Sequence, residues 1–354
     1  MVRTLLGCTA MTTVTHPPDP SSIPVPRAFS GYRRFPLDGA LLLFDRDSGT
    51  NVLCEGEETA GLRQLAPRVI QFGLTNRCNL TCHFCSRDLE AASTWTPEEV
   101  VAFARQLSDA GLLEIAFGGG EPWTFPGFAS LVSRLHCETA LAINFTTNGL
   151  ALTRRRLASI AGCYGQIRLS LYDDNDYRSR VGLLADAAAR FGVNYLVRPD
   201  RMDSLVTVVL ELVQLGCRDV LLLSYNGHDR ALHLKPAQSE ALRSTAGLLA
   251  RELGARCALK LDVCWGDRMH GVPRLFDRTD CGAGRDFVVV TSDRKLMPCS
   301  FHHEAIPIRD AAELMDLWRT RHRPLAEASL IPGCARTPGY GLEHRLLHKL
   351  EVVS

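Results

Sequence analysis

Two hydrophobic periods alternate through most of this chain. Between residues 68 and 253, short apolar runs are separated by longer stretches whose apolar positions recur every three or four residues. The first pattern reads as buried strands and the second as amphipathic helices. Strands are predicted over Val69–Thr75, Leu113–Phe117, Leu141–Thr146, Gln166–Leu171, Val193–Val197 and Val220–Ser224. Helices are predicted near Pro97–Ala110, Pro126–Leu135, Arg154–Ala161, Arg178–Phe191, Ser204–Leu215 and Pro236–Leu253. Thr96-Pro97-Glu98-Glu99 is a strong helix start, with a capping hydroxyl, a first-turn proline and acids facing the dipole. Six strand–helix repeats imply a parallel sheet wound by right-handed crossovers, short of the eight that close a full barrel.

The flanks follow other patterns. Residues 1–30 include five prolines and little periodicity, and read as a disordered leader. Residues 31–66 read as a small unit: a β-hairpin of Ala40–Phe44 and Asn51–Leu53 about a polar turn, then a helix over Thr59–Leu65. A lone hairpin needs something to pack on, so a cap over the bottom of the barrel is the expected role. Beyond residue 255, Phe287–Val290 and Leu296-Met297 flank the turn Ser292-Asp293-Arg294, and a helix is expected over Ala311–Arg319. The organisation expected is thus a leader (1–30), a hairpin unit (31–66), a barrel (67–255), a C-terminal domain (256–340) and a tail (341–354).

Composition narrows the function. A net charge of +1 gives no electrostatic case for nucleic acid. No apolar run approaches the ~20 residues of a membrane span. The start lacks the apolar segment of an export signal, and a cytoplasmic protein is expected. In that compartment, 13 cysteines point to metal or redox use rather than a disulfide framework.

The cysteines themselves are most specific at Cys78, Cys82 and Cys85, spaced Cys-x3-Cys-x2-Cys behind the first strand. Three thiolates can wrap one iron–sulfur cluster and leave an iron open, whereas structural zinc sites usually add a distant second pair. Gly118-Gly119-Gly120-Glu121-Pro122 follows the second strand. Together these motifs resemble the radical S-adenosylmethionine (SAM) superfamily, whose signature is Cys-x3-Cys-x-aromatic-Cys on the first strand-to-helix loop with a Gly-Gly-Glu-Pro-like turn after the second strand.

The resemblance implies an α/β fold, a partial, TIM-like (βα)6 barrel with its chemistry at the C-terminal strand ends. It implies that Cys78, Cys82 and Cys85 hold a 4Fe–4S cluster whose open iron chelates SAM. The turn Gly118, Gly119, Gly120, Glu121 and Pro122 is expected to meet the SAM amino group. Phe84 is expected near the adenine, Thr147 and Asn148 at the site, Ser170 at the ribose, and Arg198 at the carboxylate. Reductive cleavage of SAM then gives a 5′-deoxyadenosyl radical that takes a hydrogen atom from the substrate, with a flavodoxin- or ferredoxin-like protein as external reductant.

Cys281 and Cys299 stand at the feet of the C-terminal hairpin, and Cys334 follows the last helix. This resembles the Twitch or SPASM extensions of radical SAM enzymes, and implies a second, auxiliary 4Fe–4S cluster. Its fourth position could be filled by Cys264, His302, His303, an acid or the substrate, or stay open. Alternatively, Cys264 could return a hydrogen atom to a substrate radical, as an epimerase thiol does.

Three functions fit. One is modification of a ribosomally made peptide by cross-linking, oxidation or epimerisation. In that case the N-terminal hairpin unit could recognise the peptide. Another is dehydrogenation or epimerisation of a small metabolite such as an aminosugar. The third is a non-catalytic iron–sulfur sensor or binding protein.

Overall fold

The computed structural model describes residues 18–172, 175–269, 280–321 and 331–336. The chain divides into two compact units, one of residues up to Asp45 with Thr50–Leu65, the other of Arg46–Gly49 with everything from Ala66 onward.

The smaller unit is a three-stranded antiparallel sheet of β1 (Arg33–Leu37), β2 (Ala40–Asp45) and β3 (Thr50–Glu55). The central strand is apolar from Ala40 to Phe44 and buried throughout. Leu41 and Leu43 pack with Ile23 and Leu62. Strand β1 was not expected; Pro36 breaks its pattern, as is tolerated on an edge strand. The expected helix over Thr59–Leu65 is replaced by a 3-10 turn, Glu57–Thr59. Thr59 donates its hydroxyl to the Gly39 carbonyl at 3.0 Å, and the Gly39 N–H bonds the Leu62 carbonyl, so the segment folds back on the hairpin instead of coiling. Residues 1–17 of the expected leader lie outside the described residues. Residues 18–30 form two 3-10 turns, ordered because Ile23 joins the apolar cluster.

The larger unit is built on one ten-stranded sheet. Its strands are β4 (Val69–Thr75), β5 (Glu114–Gly119), β6 (Ala142–Thr147), β7 (Ile167–Ser170), β8 (Phe191–Leu196), β9 (Asp219–Leu223), β10 (Ala258–Leu261), β11 (Phe287–Val290), β12 (Lys295–Met297) and β13 (Ile306–Pro307). They run in the order β10-β9-β8-β7-β6-β5-β4-β11-β12-β13, with β4 to β10 parallel throughout and the sheet open. The helices are α1 (Pro97–Asp109), α2 (Phe128–Glu138), α3 (Arg154–Ser159), α4 (Tyr177–Asp186), α5 (Leu205–Gln214), α6 (Pro236–Leu253) and α7 (Ala311–Arg321). Thr96 caps α1 in a capping box with Glu99. Helix α4 stops short of the expected Phe191 because the chain turns at Ala188, where φ is +49°, to enter β8.

The expected six-stranded barrel gains a strand at each side. Strand β10 adds parallel to β9; its sequence, Ala-Leu-Lys-Leu, is half exposed and too short to announce itself. On the other side β11 pairs parallel with β4, Phe287 opposite Val69 and Val290 opposite Phe72. The C-terminal hairpin is therefore part of the barrel sheet rather than a separate layer. The expected tail, 341–354, lies outside the described residues.

One face of the sheet is dry: Ile70, Phe72 and Leu74, Ile115 and Phe117, Ile143 and Phe145, Val193 and Tyr195 are all buried. Strand alternation sends Gln71, Asn144, Arg168 and Asn194 to the opposite face. There a polar network runs across the strands. Asn144 Nδ2 bonds Glu114 at 3.0 Å, Arg168 bonds Asp219 at 2.6 Å and Asn194 at 2.9 Å, and Lys260 bonds Asp219 at 2.6 Å. Among the described residues no helix is long and apolar enough to cross a membrane.

Candidate functional site

The triad loop leaves β4 at Asn76 and is closed on itself. Asn76 Nδ2 donates to the carbonyls of Asp88 (2.8 Å) and Ala91 (2.7 Å), and its N–H bonds the Ser93 hydroxyl at 2.8 Å. Cys78, Cys82 and Cys85 all lie inside this closure, Cys78 and Cys85 exposed and Cys82 half-buried. Burial first, and then the proximity of Cys85 and Cys78, pushes the Cys82 thiol up. Three thiols on one short loop suit a cationic centre, which holds its thiols deprotonated. Soft, all-sulfur donors fit an iron–sulfur cluster.

The glycine turn after β5 is shaped by this loop. The Gly120 N–H bonds the Thr75 carbonyl at 2.6 Å, and the Glu121 N–H bonds the Arg77 carbonyl at 2.8 Å. A Cβ on Gly120 would stand 1.9 Å from the Arg77 oxygen, and one on Gly119, whose φ is +87°, 2.7 Å from the Thr75 oxygen. Glycine is required at both positions by backbone approach. A Cβ on Gly118 would meet nothing within 4 Å.

Glu121 is buried and turned inward. It accepts from the Thr147 hydroxyl and the Asn148 N–H, each at 2.8 Å, and from the Trp123 N–H at 3.3 Å. Burial pushes its carboxyl up, against the pull of these donors. Pro122 is buried and opens the 3-10 turn that follows. Asn148 in turn donates to Asn79 Oδ1 at 2.7 Å and approaches Cys78 Sγ at 4.0 Å. The strand ends of β5 and β6 thus brace the triad loop through side chains. Asn175, which the sequence did not single out, is fully buried and bonds the carbonyls of Asn148 and Ser170, both at 2.7 Å.

A pocket of about 200 Å³ opens beside the triad, lined by Cys82, His83, Phe84, Tyr172, Leu196, Arg198 and Arg201 among others. The Phe84 and Tyr172 rings lie 5.6 Å apart. Burial pushes Tyr172 up to about 12 against a hydrogen bond to the Ser170 side chain, with the three nearby sulfurs adding to the rise, so it stays a neutral phenol. Arg198 reaches the pocket already paired with Asp200, at 3.1 and 2.6 Å. Phe84 and Arg198 therefore share one pocket, and Ser170, Thr147, Asn148 and Glu121 form the connected framework behind the triad.

The C-terminal cysteines also converge. Cys281, Cys299 and Cys334 lie in each other's electrostatic field, and so do Cys264, Cys281 and Cys299. Burial pushes Cys264 well above the ordinary thiol range and Cys299 up to about 11. Arginines join the segments that carry these thiols. Arg268 donates to the Cys264 carbonyl (2.6 Å), the Ser224 hydroxyl (2.8 Å) and the Gly333 carbonyl (3.5 Å). Arg336 bonds Asp280 at 2.7 Å and the Ala283 carbonyl at 3.0 Å. His302 is buried, accepts the Glu304 N–H at Nδ1 (3.0 Å) and stacks on His303 at 4.5 Å. Among the described residues no group of His, Cys, Asp or Glu is arranged to hold a single metal ion.

Residues 73–224 match the radical SAM superfamily. PqqA peptide cyclases are similar, that of Rhodopseudomonas palustris at 25% identity over 295 residues (74% of this chain, 75% of that protein). That of Gluconobacter oxydans is 28% identical over 270 residues (68% and 71%). A probable GTP 3′,8-cyclase of Methanosarcina mazei is 28% identical over 300 residues (73% and 86%). Among solved structures, Streptococcus suis SuiB bound to S-adenosylmethionine shares the fold with a TM-score of 0.59 at 16% identity. The alignment covers 72% of this chain, and the chain spans 66% of SuiB. AnSMEcpe with bound AdoMet gives 0.54 at 15% identity, over 67% of this chain and 75% of that one. Residues 73–224 are thus a radical SAM domain. The chain is a SAM-dependent enzyme, and a radical SAM domain implies a 4Fe–4S cluster. The non-catalytic sensor is thereby set aside.

Proposed function

We propose that this enzyme modifies a peptide, with Cys78, Cys82 and Cys85 holding the SAM-binding cluster and Cys264, Cys281, Cys299 and Cys334 holding an auxiliary one. The observation that carries the peptide reading is the similarity, over more than two thirds of both chains, to proteins named for cyclising the PqqA peptide. The fold adds support, being shared with SuiB bound to its precursor peptide SuiA (TM-score 0.61, 16% identity). When bound, cluster and SAM supply a one-electron cleavage of the sulfonium and a 5′-deoxyadenosyl radical.

The chain's own residues bind, orient and exclude water. Gly118 leaves open backbone for the SAM amino group. Phe84 and Tyr172 wall the pocket in which the adenine would stack, and Arg198, with Asp200, offers a fixed guanidinium at its rim. Glu121 acts from behind, fixing Thr147 and Asn148 rather than touching SAM. For Cys264 the ligand role is favoured over hydrogen-atom donation. Its thiol is near enough to those of Cys281 and Cys299 to be acted on by their charges, and a cysteine-rich donor set suits an iron–sulfur centre. The enzyme is read as cytoplasmic and served by a flavodoxin- or ferredoxin-like reductant.

The similarity to GTP 3′,8-cyclases supports a second reading, a small-molecule substrate. The test is anaerobic turnover with short peptides encoded beside the gene, followed by mass spectrometry. A peptide shifted by loss of hydrogen, in step with 5′-deoxyadenosine, supports the first reading. Nucleoside formation that no peptide stimulates, but a small metabolite does, replaces it with the second.

A further inference from the structure

The turn between β11 and β12 grips the base of the triad loop. Ser292 donates its hydroxyl to the Ala92 carbonyl at 2.8 Å, and its own carbonyl accepts the Thr94 N–H at 3.0 Å. Arg294 donates to the Thr94 hydroxyl (3.1 Å), the Thr94 carbonyl (3.0 Å) and Glu99 (2.6 Å), and lies 4.3 Å over the Trp95 ring. Trp95 Nε1 bonds the Thr291 carbonyl at 3.0 Å. Both neighbours of Ser93 are thus held from the turn, and Ser93 receives the N–H of Asn76, two residues before Cys78.

Arg294 also stands at a φ of +63°. A non-glycine residue there is uncommon, and glycine would relieve the backbone. The position keeps an arginine whose guanidinium bonds Thr94 and Glu99 and lies over Trp95. The hydrogen bond from Arg294 is the leading reason that the Glu99 carboxyl lies below its usual range, so the pair is charged and engaged.

We infer that Arg294, with Ser292, is a positioning residue for SAM binding: the C-terminal hairpin sets the shape of the triad loop from outside the ring of sulfurs. This rests on the triad holding the SAM-binding cluster. Because Arg294 touches neither sulfur nor pocket, its influence should appear in SAM affinity and loop order, while the auxiliary thiols and the iron content are untouched.

The test uses the reconstituted full-length enzyme as wild type, Arg294→Gly, Arg294→Lys and Ser292→Ala. Arg294→Gly should keep its iron and its melting temperature, since the backbone relaxes as the contacts go. Its KM for SAM in 5′-deoxyadenosine formation should rise about tenfold, the scale of one lost charge-assisted contact, with a smaller change in kcat. Amide hydrogen exchange over residues 76–96 should quicken. Arg294→Lys, which keeps the charge beside Glu99, should recover part of the affinity, and Ser292→Ala should shift KM in the same direction. Unchanged KM and exchange in Arg294→Gly would overturn the inference. So would a loss of melting temperature in proportion to activity, which marks a merely structural contact. If wild type itself binds no cluster and cleaves no SAM, the underlying reading fails instead.

Discussion

Thr147 donates its hydroxyl to the buried carboxyl of Glu121 across 2.8 Å, tying the end of β6 to the glycine turn of β5. The acid of the Gly-Glu-Pro motif is therefore a brace. Replacing it with Gln presents an amide to a site built of donors and leaves one buried group unsatisfied. Glu121→Gln should lose about 1–3 kcal/mol of stability and should raise KM for SAM. Denaturant melts and SAM titrations of the same protein check both; full stability with wild-type KM would contradict the bracing role.

The Glu121 carboxyl also gives a pH signature. Its folded-state pKa is raised by burial, so its contribution to stability is fully present below the unfolded carboxyl value and declines as pH rises through the folded one. The stability of wild type relative to Glu121→Gln should therefore decrease with rising pH across and just above the ordinary glutamate range. A difference that grows with pH would show that the carboxylate, not the acid, is the favoured form.

Asp219 carries the opposite sign. Burial alone would push it up, but Arg168 and Lys260 outweigh burial and hold it below the usual carboxylate range. Its stabilisation is present above the unfolded Asp value and lost as pH falls through the folded one. Asp219→Asn leaves Arg168 half-buried beside a neutral partner and should cost about 3 kcal/mol at neutral pH, less in acid. Equal melting temperatures for the two proteins at pH 7 would refute this.

Gly120 leaves no room for a side chain, with the Arg77 oxygen 1.9 Å from where a Cβ would sit. Gly120→Ala should push the triad loop off the glycine turn and abolish SAM cleavage even where the protein still folds. Gly118→Ala, at an open position, should fold as wild type. Circular dichroism together with nucleoside yield separates the pair, and equal activity in both variants would count against the close approach.

Cys264 distinguishes ligand from hydrogen donor. As a ligand, its replacement by Ala should remove about four of about eight irons per chain while SAM is still cleaved. Retention of all the iron, with turnover halted after substrate hydrogen abstraction, would restore the donor role.

Much of this was readable from the residues. The apolar run Val69–Thr75 gave β4 to the residue, and proline followed by a long amphipathic pattern gave Pro236–Leu253. Motif spacing placed Cys78, Cys82, Cys85 and the glycine turn on adjacent strand ends. What escaped depends on partners distant in sequence. Strand β10 is half exposed, and only its pairing with β9 makes it a strand. The register of β11 against β4 unites residues about 220 positions apart. Asn175 looks like any turn residue until burial shows it spanning two carbonyls. The Asp200 carboxylate that pairs with Arg198 two residues away was likewise not read from the sequence.

The central claim is that three sulfurs behind β4 make this chain cleave SAM. Anaerobically reconstituted wild type and the Cys78→Ala/Cys82→Ala/Cys85→Ala variant should be given reductant and SAM, with iron and 5′-deoxyadenosine measured on each. The account predicts nucleoside from wild type alone, and a variant that keeps about four irons in its C-terminal site. Equal nucleoside from both proteins, or none from fully iron-loaded wild type, would contradict it.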